Sequence, residues 1–163
     1  MSAAPAIREK HDGLAADRSN VRLWLRLLSC TLTIEKVVKR RFADNFGTTL
    51  ARFDVLAALD RAERGLTMSE LSRALLVSNG NATQLVQKLV RDRLVAIEPN
   101  PADRRSSIVR LTEPGAVHFA ELAQAHQRWI EALFAGVGAN ERERLYAALG
   151  TLKHSIAGES HAA

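Results

Sequence analysis

Apolar residues recur every three or four positions along most of the chain, a spacing that predicts a mainly α-helical protein. The first long helix is predicted over residues 20–46, with Asn20 as its N-cap. Apolar residues occupy more than one side of this helix, and a chain of 163 residues has little else to cover them. A second subunit is therefore the expected cover.

Three further helical patterns lead to a compact motif in the middle of the chain. The first of them ends at Gly65. The next begins at Thr67, because Thr67 and Glu70 have the spacing of a capping box. Ser78 is the predicted N-cap of the third, after a short turn over residues 76–78. The last two helices and their turn are typical of a helix-turn-helix.

The helix that follows Ser78 has a polar face without carboxylates, whereas an ordinary solvated face mixes charges of both signs. Glutamine can pair with a base edge, and lysine, arginine and the N–H groups of a helix N-terminus can hold phosphate. The face therefore predicts a DNA-reading helix. Its residues are Gly80, Thr83, Gln84, Gln87, Lys88 and Arg91.

After this helix the apolar residues alternate, and a cluster of turn-forming residues separates two alternating runs. The pattern predicts a two-stranded β-hairpin over residues 95–112. Arg104, Arg105 and Arg110 carry its charge, and Asp103 is placed to brace an arginine. A basic hairpin beside a reading helix suits the minor groove, where narrow A·T-rich sequence has enhanced negative potential. The alternative is a surface hairpin whose charges serve solubility.

Two apolar helices complete the pattern, one capped by Thr112 and one that begins near Asn140. Pairing with the first long helix of a partner chain would cover both. The predicted fold is mainly α, a winged helix-turn-helix with a two-stranded β wing and an all-α dimerisation region formed by the N- and C-terminal helices. The predicted segments are a flexible arm (1–19), a dimerisation helix (20–46) that joins 113–157, a DNA-binding domain (48–112), C-terminal dimerisation helices (113–157) and a tail (158–163).

Composition narrows the choice of partners. The net charge of +5 and the isoelectric point near 10.0 favour polyanions such as DNA. The single cysteine, Cys30, excludes an intrachain disulfide framework and suits a reducing compartment. The chain contains no apolar run long enough for a secretory signal or a membrane span, so we expect a cytoplasmic protein without a membrane partner.

In order and spacing these motifs resemble the MarR family of winged-helix transcriptional regulators, over roughly residues 20–156. Residues 103–112 resemble the family's wing, in which Asp, any residue and Arg precede a short strand ending in Leu-Thr. Residues 67–71 and 85–89 resemble its helix-turn-helix. The resemblance implies an obligate homodimer whose two recognition helices enter successive major grooves of a pseudo-palindromic operator.

Residue by residue, the resemblance implies that Asp103 orients Arg105 into the minor groove. The other implied DNA contacts are Ser78, Asn79, Asn81, Thr83, Gln84, Gln87, Lys88, Arg91, Arg104, Ser106 and Ser107. The sequence departs from the family at Leu76, where such turns often have glycine, and at Gly80 in the first turn of the recognition helix.

Members of this family usually repress, and they release DNA when a small aromatic acid or its coenzyme A thioester binds between the dimer helices and the winged domain. The candidate residues for such an effector are an apolar wall of Trp24, Phe42, Phe46 and Phe53 and the anion holders Arg26, Arg40 and Arg41. The alternatives are core packing for the aromatic residues and a solvated face for the arginines.

A thiol-based redox sensor of the same fold is one alternative function. Cys30 lies in the apolar stripe of the first helix, more than a turn beyond the position of the sensing cysteine in hydroperoxide-sensing members. We therefore expect a buried structural thiol.

No metal site, cofactor or catalytic residue is predicted. His118 and His126 stand eight positions apart on one helix face, a poor chelate, and the other histidines are His11, His154 and His161. The sequence has no phosphate-binding loop, nucleophile elbow or histidine-rich metal helix, so an enzyme is not expected. A non-specific, architectural DNA-binding protein stays open as an alternative.

Overall fold

The computed structural model describes residues 18–103 and 105–159. The chain divides into two units, one up to His126 and one from Gln127. Most of the predicted arm, Arg104 and residues 160–163 of the predicted tail lie outside the described residues. The elements are α1 (Ser19–Phe46), α2 (Leu50–Asp60), β1 (Leu66–Thr67), α3 (Met68–Leu75), α4 (Asn79–Arg91), β2 (Val95–Pro99), β3 (Ser107–Leu111), α5 (Glu113–Phe134) and α6 (Ala139–Glu159).

Helix α1 is continuous over 28 residues and buries only Val38 and Phe42. It begins at Ser19, and Arg18 stands at the N-cap position without a side-chain capping bond. The prediction of Asn20 as N-cap is therefore wrong, because Asn20 lies inside the first turn. The helix ends at Gly47, whose left-handed backbone (φ 59°) turns the chain toward α2. Large apolar side chains on α1 are exposed, namely Val21, Leu23, Trp24 and Leu32.

The core of the first unit lies between α2, α3, α4 and the sheet, and α1 and α5 each add a side chain to it. Its fully buried large side chains are Phe42, Val55, Leu56, Leu71, Val86, Leu89, Val109 and Leu122. The capping box at the start of α3 is confirmed, since Glu70 Oε2 accepts the Thr67 N–H at 2.8 Å and Thr67 Oγ1 accepts the Glu70 N–H at 3.3 Å. These bonds, from the backbone and then the hydroxyl of Thr67, lower the pKa of Glu70.

The sheet has three antiparallel strands in the order β1-β3-β2, so the predicted hairpin is correct but incomplete. Strand β1 pairs Leu66 with Val109 and Thr67 with Ile108. Its two residues are too short to produce an alternating pattern, which is why the sequence does not predict it. Arg110 lies at the base of the hairpin, where its guanidinium donates to the Glu63 carbonyl at 3.2 Å and lies 3.4 Å from the Glu98 carboxylate.

Helix α5 is attached to the sheet through a close backbone contact at its first turn. Thr112 Oγ1 accepts the Gly115 N–H at 3.0 Å and donates to the Arg93 carbonyl at 2.7 Å, so Thr112 caps α5 as expected. Gly115 is buried, and a β-carbon there would lie 1.9 Å from the Leu94 carbonyl oxygen. Only glycine allows this approach.

The second unit contains the last turns of α5 and helix α6. None of the side chains described in α6 is buried. A groove of about 640 Å³ in this unit is lined by Ile130, Glu131, Phe134, Arg142, Glu143, Leu145, Tyr146 and Leu149. Across the residues that the structure describes, no helix is long and apolar enough to cross a membrane.

Candidate nucleic-acid interface

Helix α4 separates a buried apolar face from an exposed polar face. Ala82, Val86 and Leu89 are buried against the core. Ser78 caps the helix by accepting the Asn81 N–H at 3.3 Å, which confirms its predicted position. The side chains predicted to contact DNA from this helix are all exposed, namely Ser78, Asn79, Asn81, Thr83, Gln84, Gln87, Lys88 and Arg91. Since α4 contains no Asp or Glu, the exposed face repels no phosphate.

Besides Ser78, two of these side chains, Asn79 and Thr83, have partners within the chain. Ser72 of α3 is 6% exposed, and its hydroxyl donates to Asn79 Oδ1. The Asn79 amide therefore offers its NH₂ group, a hydrogen-bond donor, to the surroundings. Thr83 Oγ1 donates to the Asn79 carbonyl at 2.8 Å, which leaves its methyl group and lone pairs for other contacts.

The C-terminal end of α4 is attached to α2 by an ion pair between Arg52 and Asp92. The Arg52 side chain is largely buried, so the pair is shielded from solvent more than a surface pair is. Ser72 thus holds the beginning of α4 and Arg52 holds its end. The sequence does not predict the ion pair, because Arg52 and Asp92 are 40 positions apart and their pairing leaves no periodic signal in the sequence.

Hydrogen bonds within the loop fix the described residues of the wing tip, 100–103 and 105–106. The Asp103 carboxylate accepts the backbone N–H of Arg105 at 2.9 Å, so it braces the main chain of Arg105. Asn100 donates from its backbone N–H to the Ser106 carbonyl at 3.1 Å and from its amide to Ser106 Oγ at 2.9 Å. Ser106 is half-buried in this loop, whereas Arg105 and Ser107 are exposed. The predicted contact Arg104 lies outside the described residues.

The candidate effector residues do not form a single pocket within one chain. Trp24 is 55% exposed and Phe42 is fully buried. The two are eighteen positions apart on the continuous helix α1, a distance of about 27 Å at 1.5 Å per residue. Arg26 belongs to the Trp24 end of α1, whereas Arg40 belongs to the Phe42 end and pairs with Asp44 at 3.3 Å. Arg41 and Phe46 also belong to the Phe42 end of α1, and Phe53 of α2 packs on Phe42.

Phe42 and Phe53 belong to an aromatic cluster that includes His126 of α5. The Phe42 and Phe53 ring centroids are 4.9 Å apart, and His126 lies 4.8 Å from Phe53 and 5.9 Å from Phe42. Phe119 extends the cluster, with its ring 5.7 Å from that of Phe53. Burial among these rings lowers the pKa of His126, because the protonated imidazolium loses its hydration there.

Acidification is expected to destabilise the fold through His126. The unfolded chain takes up a proton near pH 6.5, a proton that the folded chain resists because its pKa is lower. The stability that neutral His126 contributes to the folded state is therefore complete above about pH 6.5. It is lost as the pH falls through the lowered pKa of the folded state. Melting temperatures measured from about pH 7.5 to about pH 5.5 will decrease, and the decrease will be smaller in His126→Phe.

The exposed His154 of α6 provides the control, because His154→Gln removes a histidine outside the aromatic cluster. If His154→Gln flattens the pH dependence as much as His126→Phe does, the cluster does not account for it.

Cys30 is exposed in the chain, so the prediction of a buried thiol is wrong for the single subunit. Cys30 is exposed because the apolar stripe of α1 that contains it is itself largely uncovered in the single chain. Within residues 18–103 and 105–159, no three His, Cys, Asp or Glu side chains are grouped closely enough to hold a metal ion. His154 Nδ1 lies 2.7 Å from the Gly150 carbonyl, and His11 and His161 lie outside the described residues.

Comparisons with known proteins agree with this geometry. The model of the MarR family matches residues 46–106, from the end of α1 to the wing tip. The transcriptional activatory protein BadR of Rhodopseudomonas palustris is 36% identical over 105 residues, which are 63% of this chain and 59% of BadR. The chain thus spans less than two thirds of the length of that relative.

Solved structures match over a greater length. A MarR family transcriptional regulator from Silicibacter pomeroyi has a TM-score of 0.73 and 31% identity, and the match covers 87% of this chain and 99% of that one. A cysteine-to-serine mutant of MarR from E. coli, complexed with operator DNA, has a TM-score of 0.73 and 24% identity, with coverage of 85% and 98%. The chain therefore belongs to the MarR family of transcriptional regulators.

Proposed function

We propose that this protein is a homodimeric, sequence-specific DNA-binding repressor whose operator complex dissociates when a small aromatic acid or its coenzyme A thioester binds. The observation that supports DNA reading most directly is the exposed, carboxylate-free face of α4 beside the Arg105 wing. The likeness to a fold that has been solved with operator DNA supports the same use of this face.

The exposed apolar residues support the dimer. Helix α6 is 21 residues long without a buried side chain among those described, and Leu145, Tyr146, Leu149 and Ile156 are exposed on it. Exposed helices of this kind gain little stability on their own, because packing of an apolar face supplies most helix stability. A partner chain that covers these residues and the exposed apolar residues of α1 would provide the missing packing. Sedimentation velocity at micromolar concentration tests for the dimer, and a monomer would contradict it.

Specific reading is tested by protection of the DNA upstream of the protein's own gene. We expect a protected, approximately palindromic site, since two recognition helices of a symmetric dimer contact two half-sites. Random duplex at the same salt concentration is the comparison, because phosphate contacts alone bind any sequence. Equal affinity for both duplexes would instead support the architectural, non-specific alternative.

Gln84→Ala is expected to relax sequence preference more than it weakens overall binding. Gln84 is exposed on the reading face, and glutamine pairs with a base edge. The affinity ratio between the operator and a variant with one changed base pair should decrease by about five- to 150-fold at the position that Gln84 reads.

Lys88→Ala is the matched variant on the same face. Loss of a lysine that contacts phosphate should weaken binding to all sequences alike and reduce the slope of log affinity against log salt concentration by about 1. Identical specificity profiles for the two variants would argue against base reading by Gln84.

The proposed repression requires that the bound dimer exclude polymerase from the promoter. The name of BadR as an activatory protein makes the direction a matter for experiment. A reporter behind the operator, with and without the protein, gives the answer. A reporter that requires the protein for expression would contradict repression.

For the effector we favour the C-terminal end of α1, where Phe46 and Arg41 are half-buried near the aromatic cluster. Thermal-shift and DNA-release assays with aromatic acids and their coenzyme A thioesters test this assignment. An effective ligand shifts operator occupancy by five- to 150-fold for a coupling of about 1–3 kcal/mol. Arg41→Gln should abolish the response and Arg26→Gln should retain it. The opposite result would assign the effector to the Trp24 end.

The exposed position of Cys30 is the one observation that favours a second function, thiol-based sensing. An oxidant reaches only an accessible sulfur. If peroxide releases the operator from the wild-type protein and not from Cys30→Ser, this second function replaces the aromatic effector.

A further inference from the structure

Leu76, in the turn between α3 and α4, combines two unfavourable features. Its backbone is left-handed (φ 54°), a conformation that crowds the β-carbon of leucine and that glycine adopts freely. Its side chain is 92% exposed. A single exposed leucine is ordinary, but here it occupies a position where its backbone is strained. The leucine side chain therefore stabilises neither the turn nor the core of the free protein.

The position of Leu76 indicates which contact could offset the strain of its backbone. It lies two residues before Ser78, the N-cap of α4, and so at the N-terminal end of the proposed reading helix. In a helix-turn-helix, that end of the recognition helix contacts base edges in the major groove. The residues beside Leu76 at this end, Ser78, Asn79 and Asn81, are polar and exposed. Leu76 thus adds an apolar group to a polar reading surface.

Thymine is the DNA base that presents an apolar group in the major groove, its C5-methyl. We propose that Leu76 is a specificity-determining residue that packs on the C5-methyl group of a thymine in each operator half-site. This inference rests on the proposed DNA-reading function. Contact with the methyl group would bury the exposed side chain and so compensate in the complex for the strained turn.

The test replaces operator thymines one at a time by deoxyuridine, which lacks only the methyl group. For the wild-type dimer we expect one symmetric pair of positions at which uracil weakens binding, by about fourfold per half-site for a buried methyl. Leu76→Ala should bind the thymine and uracil operators equally. Leu76→Gly should lose the same discrimination, yet melt at a higher temperature because glycine relieves the turn.

Arg93→Gly is the matched control, since Arg93 is also left-handed (φ 59°) and lies just beyond the other end of α4. It should also raise the melting temperature and should keep the uracil discrimination of the wild-type protein. A purely structural role for Leu76 predicts instead that affinity and discrimination remain unchanged in Leu76→Ala.

The inference is overturned if the wild-type dimer prefers its operator but is insensitive to uracil at every position, or if Leu76→Ala retains the discrimination. A wild-type protein without preference for any operator over random duplex overturns the proposed function and the inference together. The two failures are therefore distinguishable in the same binding series.

Discussion

Replacing Gly115 by alanine is expected to decrease the free energy of unfolding by about 3 kcal/mol, at the upper end for overpacking. A β-carbon at this position would lie 1.9 Å from the Leu94 carbonyl oxygen, a backbone atom that no side-chain rotation can move aside. The first turn of α5 would have to move away from the segment between α4 and β2, and the Thr112 cap would be disturbed with it. For a chain of this size, the melting temperature should decrease by roughly 6–12 °C.

Gly150→Ala is the matched control within a helix. Nothing lies within 4 Å of a β-carbon built on Gly150 in α6. Alanine should stabilise α6 there by about 0.5–1 kcal/mol, because it loses less backbone entropy than glycine. Thermal or urea unfolding of both variants measures the difference. Equal melting temperatures for the two variants would mean that α5 does not approach Leu94 as closely as described.

Arg105→Ala is expected to weaken operator binding by about 1–3 kcal/mol, or roughly five- to 150-fold, and to leave the dimer intact. Arg105 is exposed at the wing tip, and its main chain is held by Asp103 rather than by its own side chain. Removal of the guanidinium therefore leaves the loop in place. Fluorescence anisotropy at fixed salt measures the loss, and sedimentation velocity tests the oligomer. Dissociation of the dimer would contradict the role of the wing.

Asp103 offers a sharper control, because its carboxylate accepts the Arg105 N–H. Asp103→Asn retains an oxygen acceptor for that bond and should retain most of the affinity. Asp103→Ala removes the acceptor, frees the loop and should lose affinity. If both variants lose affinity equally, the charge of Asp103 is needed, and the brace acts on the guanidinium instead of the main chain.

Elements with strong local signals were predictable from the sequence. Helical periodicity predicted all the long helices, and the Thr67, Ser78 and Thr112 caps are confirmed because a cap depends on residues only two or three positions apart. The N-cap of α1 was wrong, since helix ends fray and shift by a residue.

Features that depend on distant contacts were not predictable. Strand β1 exists only through its pairing with β3, some forty positions away. The Arg52–Asp92 pair and the approach of Gly115 to Leu94 likewise join parts of the chain with no shared period. Burial of Cys30 was predicted and the thiol is exposed in the single chain. An apolar stripe indicates that a helix face is covered, but the stripe does not identify the chain that covers it.

Thr67 belongs to β1 and also caps α3, so one residue joins the helix-turn-helix to the sheet that carries the wing. We therefore expect the proposed reading helix α4, which packs against α3, and the proposed wing to move as one body. If both contact DNA as proposed, neither can leave the DNA while the other keeps all of its contacts. Dissociation of a half-site should then follow one exponential, because a small tilt of this body would end both sets of proposed contacts at once.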